Sequence, residues 1–232
     1  MSEPDPTFPA QIAADGFAIA EGVFAAHEVD SISEALTREP LARSRAGARH
    51  AMQNPFVAEL VNDTRLLRMA RSVLGPEASA FSATLFDKSP TSNWLVVWHQ
   101  DTALPLCRRE DVPGWGPWSV KSGVIYAHAP ARALERVLAL RVHLDDSTAL
   151  NGPLRVLPGT HRRGVLSDEA VQLAAHESEP VDCTVARGGI LAMQPLLIHA
   201  SSKSRTEVPR RVLHLLYAAS LAAGDGLDLA VA

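Results

Sequence analysis

From Ala78 to about residue 220 the chain breaks into short apolar runs that no helical period connects. They read SAFSATLFD, NWLVVW, SGVIYAH, RVLALRVHLDD, LRVLPG, VDCTVARGG, ILAM, LLIHA and RVLHLLYAAS. β-Branched and large apolar residues alternate with polar ones inside these runs, and Gly, Pro, Asn or Asp separates them, as strands and turns require. A succession of short strands without intervening helices points to a double-sheet jelly roll rather than a parallel α/β sheet.

The first third is different. FPAQIAADG reads as a short helix closed by Gly16, followed by the strand-like FAIAEGV. AAHEVDSISEALTRE places Val29, Ile32, Ala35 and Leu36 near helical spacing, and FVAELVNDTRLLRMARSVLG carries further helical turns up to the stop at Gly75-Pro76. Residues 38–54, rich in Arg, Ala and Gly, read as a loop. Segment 166–177 (LSDEAVQLAAHE) reads as a surface helix capped by Ser167. The expected organisation is one domain over 1–232, with a mostly helical layer at 1–77 and the jelly-roll core at 78–220. Residues 102–123 (TALPLCRREDVPGWGPWSVKSG) form a long connection, and its paired Trp115 and Trp118 favour an active-site lid over disorder.

Composition narrows the partners. A formal charge of −4 gives no reason to expect nucleic acid or an anionic membrane. No apolar run approaches the roughly 18–20 residues that span a bilayer, and the start MSEPDPTFPAQ, acidic and Pro-rich, is unlike a signal peptide. Cys107 and Cys183 lie far apart, which argues for a reducing compartment and against a disulfide scaffold or a thiolate zinc site. The expectation is a cytoplasmic protein whose partner is a small molecule. Oligomeric state is not legible in the residues.

The chemistry begins at NWLVVWHQDTALPL. His99 and Asp101 are i and i+2 on a strand, so they share a face and can converge on one ion, while Gln100 points away. An imidazole and a carboxylate suit divalent iron, and a second histidine would complete a two-His-one-carboxylate triad with open positions. His199 ends the apolar run LLI much as His99 ends LVVW. Eleven residues on, Arg210 opens the next strand, where it can take a far carboxylate bidentately, with the Ser201 hydroxyl on the His199 face. Arg211 should turn to the opposite face.

WHQD, NGPLRVLPGTH and PLLIHASSKSRTEVPRR together resemble the phytanoyl-CoA dioxygenase family, over roughly residues 8–220. The resemblance implies a double-stranded β-helix and an Fe(II)- and 2-oxoglutarate-dependent oxygenase that uses O2 and releases succinate and CO2. It implies His99, Asp101 and His199 as iron ligands and as the catalytic set, with Arg210 and Ser201 on 2-oxoglutarate. Asp101, a carboxylate, implies hydroxylation, since halogenating relatives have a small residue there. Lys88 sits where related sequences often carry a lysine that contacts cosubstrate or substrate; the competing reading is a solvated side chain. His143-Leu144-Asp145 repeats the His-x-Asp pattern, but the corresponding family strand supplies inward-facing residues instead. Arg141 and His143 are therefore candidates for substrate contact if their face lines the barrel, or solvated if it does not. His161 is expected to support a turn and His214 to be a core histidine; His27, His50 and His176 are expected at the surface. Trp115, Trp118, Arg108, Arg109 and Tyr126 are the candidate substrate wall. The expected substrate is a small amino-acid-like or natural-product molecule. The competing functions are a non-catalytic jelly-roll binding protein and a zinc hydrolase using the same three ligands.

Overall fold

The computed structural model describes residues 7–38, 47–89 and 92–232. Of the loop expected over 38–54, residues 39–46 lie outside the described residues, as does the acidic start of the chain. The elements in chain order are α1 (Thr7–Asp15), β1 (Phe17–Ala20), α2 (Ala26–Arg38), β2 (Gly47–Arg49), α3 (Pro55–Leu60), α4 (Thr64–Leu74), β3 (Ser79–Lys88) and β4 (Val96–His99). They continue as β5 (Ala103–Leu106), β6 (Trp118–Lys121), β7 (Val124–His128), α5 (Ala131–Leu134), β8 (Val137–His143), β9 (Leu154–Val156), α6 (Asp168–Glu177) and β10 (Val181–Cys183). Then come β11 (Ile190–Met193), β12 (His199–Ser201), β13 (Arg210–Ala218) and a terminal hairpin, β14 (Ala222–Gly224) with β15 (Leu227–Asp228).

A six-stranded sheet, β1-β11-β8-β13-β3-β2, and a four-stranded sheet, β10-β9-β12-β4, form the jelly roll. All their pairings are antiparallel. Two strands of a third sheet, β5-β7-β6, fall in the 102–123 connection, and its central strand β7 is the expected run SGVIYAH. Within the expected loop, residues 47–49 are strand β2 instead. No helix among the described residues is long and apolar enough to cross a membrane.

Local chemistry sets the helix starts. Asn54 accepts from the Phe56 and Val57 amides ahead of α3, Asp63 from Arg65 ahead of α4, and Ser167 from Ala170 ahead of α6. Gly16 ends α1 at φ 82°, where a Cβ would sit 2.5 Å from His161 Nδ1. Only glycine satisfies both the backbone and the neighbour. His161 in turn lies with Nε2 3.3 Å from Ala13 O, so its contact is with the end of the first helix.

Alternation then divides the large sheet. Leu138, Leu140 and Val142 of β8, with Leu213, Leu215 and Tyr217 of β13, pack outward against Val29, Ile32, Leu66 and Met69 of the helical layer. Tyr217 Oη donates to Val61 O at 2.8 Å inside that layer. Each fully buried Leu, Ile or Val contributes about 1.5–3 kcal/mol. The helices therefore anchor the sheet from outside and leave its inner face free to carry charge. Arg141 and His143, Arg210 and Lys88 lie on that inner face, all buried.

Candidate active site

His99 and His199 are register partners on β4 and β12, with ring centroids 4.2 Å apart. His99 Nδ1 lies 2.9 Å from Val97 O, and His199 Nδ1 2.9 Å from Leu197 O. A carbonyl can only accept, so each proton sits on Nδ1 and each Nε2 presents a lone pair. Both Nε2 atoms face Asp101, at 3.5 Å from His99 and 3.6 Å from His199. One ligand atom from each of the three residues falls within 4.8 Å of the others. Asp101 is fixed from behind by its amide, which donates to Pro195 O at 2.9 Å. Burial opposes its ionisation, but His199 and His99 together hold the carboxyl well below the usual range. Burial pushes His199 down to about 4; for His99 burial acts the same way, but Asp101 outweighs it and the pKa rises. Two preset imidazoles and an ionised carboxylate are the donor set that suits a divalent iron.

A cavity of about 120 Å³ opens from these ligands toward Arg210, Lys88, Arg141 and Ser201. Lys88 and Arg210 are register partners on β3 and β13. Lys88 Nζ donates to Ser201 Oγ at 2.8 Å and to Ser202 O at 2.6 Å, and Ser201 Oγ donates to Gly152 O at 2.9 Å. Arg210 Nε donates to Asn151 O at 3.3 Å, while Nη1 is buried with no partner among the described residues. The NGP turn thus offers its carbonyls to the arginine and the serine, which accounts for that part of the motif. Gly152 has φ 69°, and a Cβ there would meet Ser202 O at 2.3 Å. Burial, then the charges of Arg210 and Arg141, push Lys88 down to about 7; burial pushes Arg210 and Arg141 to about 10. Among the described residues none of the three forms a salt bridge with a carboxylate, so this end of the cavity suits an anion from outside the chain. The residues present therefore fit a metal at one end and a dicarboxylate spanning to the other.

A second, larger chamber of about 290 Å³ shares Phe86 and Asp101 with the first. Its walls include Thr84, Tyr126, His128, His214, Arg49 and Lys121.

The family model of phytanoyl-CoA dioxygenase (PhyH) matches residues 12–212. The chain belongs to the phytanoyl-CoA dioxygenase family. Ectoine dioxygenase of Sphingopyxis alaskensis is 26% identical over 241 residues, covering 88% of this chain and 72% of that protein. The crystal structure of EctD from S. alaskensis in its apoform superposes with a TM-score of 0.70 at 25% identity, over 94% of this chain and 78% of the other. The structure of EctD from S. alaskensis with 2-oxoglutarate and 5-hydroxyectoine shares the fold at a TM-score of 0.71 and 24% identity, over 96% and 78%.

In this member of the phytanoyl-CoA dioxygenase family, His99, Asp101, His199, Arg210, Ser201 and Lys88 all meet at one cavity. Lys88 is not a solvated lysine: the β3–β13 register carries it inside, 1% exposed. Arg141 and His143 face inward, which decides between the two readings of their strand, yet only Arg141 lines the small cavity. Burial, then the charges of Arg141 and Arg210, push His143 down to about 3. Arg211 turns outward and pairs bidentately with Asp145 at 2.7 and 2.8 Å, which removes Asp145 from the site. Gln100 is structural, its amide donating to Gly164 O and Leu196 O and accepting from Leu166 N.

The expected substrate wall is largely corrected. Trp115 is buried in a second core and donates to Asp225. Trp118 packs against that core beneath the Arg109 guanidinium, and Arg108 reaches Gly226 O. None of these four residues lines either chamber; Tyr126 alone of the group does. His50 is not at the surface: it is buried, with Nε2 3.1 Å from Tyr126 Oη. His214 is a buried, satisfied histidine but also lines the larger chamber. Arg49, Thr84, Phe86, Lys121 and His128 were not singled out by the sequence. Thr84 and Phe86 share β3, while Arg49, Lys121 and His128 sit singly on short strands, and strand pairing brings the elements together.

Proposed function

We propose that the protein is an Fe(II)- and 2-oxoglutarate-dependent dioxygenase that hydroxylates a C–H bond of a small molecule and releases succinate and CO2. The observation that carries this is the three-residue ligand cluster facing two buried guanidiniums and a buried lysine across one small cavity. A zinc hydrolase or a plain metal-binding jelly roll would need no such cationic end. The 2-oxoglutarate in the fold neighbour EctD supports the same reading.

His99, Asp101 and His199 would hold the iron, leaving positions open for small ligands. When bound, the iron with 2-oxoglutarate and O2 supplies the oxidising power that breaks an unactivated C–H bond. The chain's own work is binding and orientation. Arg210 would receive the far carboxylate of 2-oxoglutarate on its unpartnered Nη1, with Lys88 beside it and Ser201 fixing both cations in place. Phe86, shared by both chambers, would separate cosubstrate from substrate and keep water from the junction. Free cysteines at Cys107 and Cys183 support a reducing, cytoplasmic setting.

The test is succinate formation from 2-oxoglutarate in the presence of Fe(II), ascorbate and a panel of small amino and carboxylic acids. His199→Ala should abolish it. Metal-independent turnover, or none with any metal, would contradict the assignment.

A further inference from the structure

The larger chamber carries two cations that the cosubstrate reading leaves unused. Arg49 comes from the edge strand of the six-stranded sheet, where it is the register partner of Thr84. Lys121 comes from a different sheet, at the end of β6, with its ammonium 4.7 Å from the centre of the Tyr126 ring. Neither has a carboxylate partner among the described residues. Asp101, already engaged with the two imidazoles, is the sole acid among the described residues lining the chamber. Burial and the charge of Arg49 lower the Lys121 pKa, while Asp101 acts against them, so all three share one field.

The remaining polar groups add donors. Arg49, Thr84, His214 and Arg141 stand in a row across the inner face through successive register pairs. Arg141 Nη1 lies 3.1 Å from His214 Nδ1. A guanidinium can only donate, so Nδ1 accepts and the His214 N–H is on Nε2. The amide of Gln100 is fully used elsewhere. A solvent-exposed arginine, a half-buried lysine and a fixed N–H donor, beside the apolar surfaces of Phe86, Leu104 and Leu216, suit a compact anion with a short apolar body.

We propose that the substrate is a small acid whose carboxylate docks between Arg49 and Lys121, placing its carbon skeleton toward Asp101. This rests on the oxygenase reading and names the class of its substrate. A phosphate monoester shares the oxyanion chemistry. The carboxylate is favoured because the chamber, at about 290 Å³, sits at the small end of ligand sites.

The test is calorimetric titration of the anaerobic, Fe(II)- and 2-oxoglutarate-loaded protein with matched acids and carboxamides, such as L-proline and L-prolinamide or cyclohexanecarboxylate and its amide. Phenyl phosphate forms a third arm. Acids should bind roughly tenfold or more tighter than their amides. The double variant Arg49→Met/Lys121→Met should lose that preference while binding 2-oxoglutarate like the native protein, and Arg49→Gln and Lys121→Gln should each lose part of it. No preference for acids, including no binding by either class, overturns the proposal, as does a preference retained in the double variant. Tighter binding of phenyl phosphate than of any acid overturns the carboxylate assignment. Titration of 2-oxoglutarate itself into the Fe(II)-loaded protein separates the two readings, since failure to bind it, with the acid preference intact, would count against the oxygenase alone.

Discussion

His99 and His199 face each other across β4 and β12 as a register pair, each ring tied through Nδ1 to the carbonyl two residues before it. The tautomer that metal ligation needs is therefore built into the backbone before any metal arrives. His199→Ala should weaken Fe(II) or Co(II) binding by about 100-fold or more, measured by anaerobic titration. Because the alanine methyl offers no lone pair to a metal, His99→Ala should behave the same way. Retained affinity in both variants would exclude this cluster as the metal site.

Lys88 is held against its own charge in the cosubstrate-free protein. Its folded pKa lies near 7 against an ordinary 10.5, so between those values the unfolded chain binds more protons. Stability should then rise with pH from about 7 toward 10. Lys88→Met should flatten that slope and stabilise the protein at pH 7, while weakening 2-oxoglutarate binding. Urea unfolding at pH 7 and pH 9, with and without 2-oxoglutarate, separates these effects. Addition of 2-oxoglutarate should reduce the slope in the native protein by neutralising the cations.

Gly152 is a tighter test of the cosubstrate end. Alanine there carries a Cβ into Ser202 O, at 2.3 Å, and within 3.2 Å of Lys88 Nζ, at a backbone φ of 69°. The turn must shift, at a cost of about 1–3 kcal/mol, and Lys88 and Ser201 shift with it. Gly152→Ala should raise KM for 2-oxoglutarate by about tenfold and leave metal affinity near native. Kinetics with 2-oxoglutarate varied at fixed Fe(II) decide it.

Trp118 lies outside both chambers, so Trp118→Ala should act on stability. Loss of its packing should cost about 1–3 kcal/mol, with KM for 2-oxoglutarate unchanged within about twofold. Thermal unfolding alongside turnover checks this. Lost turnover at an unchanged melting temperature would return the residue to the substrate wall.

The contrast between these residues shows what a sequence can carry. His99 and Asp101 were legible because strand alternation is local, and His199, Ser201 and Arg210 because each sits at a fixed offset along one or two strands. Arg211 separated from Arg210 by the same rule. For Lys88 the residues left two readings open, and for His50 they pointed to the surface: burial of each depends on a distant partner, Arg210 on the neighbouring strand and Tyr126, 76 residues away. Trp115 and Trp118 misled because an aromatic pair in a long connection suits a second core as well as a ligand wall, and the choice is made by β7 and the C-terminal hairpin. Arg49 and Lys121 gave no signal, since each is a lone basic residue on a short element.

The central claim is that one cavity holds metal at His99, Asp101 and His199 and a dicarboxylate at Arg210. Its most direct test is anaerobic calorimetric titration of 2-oxoglutarate into the Fe(II)-loaded protein and into Arg210→Met. The native protein should bind one equivalent, and the variant should lose about 2–5 kcal/mol of binding, roughly 30-fold to several thousand-fold in Kd, with its metal affinity kept. Equal binding by both proteins, or no binding by the native protein at any metal loading, would contradict the account.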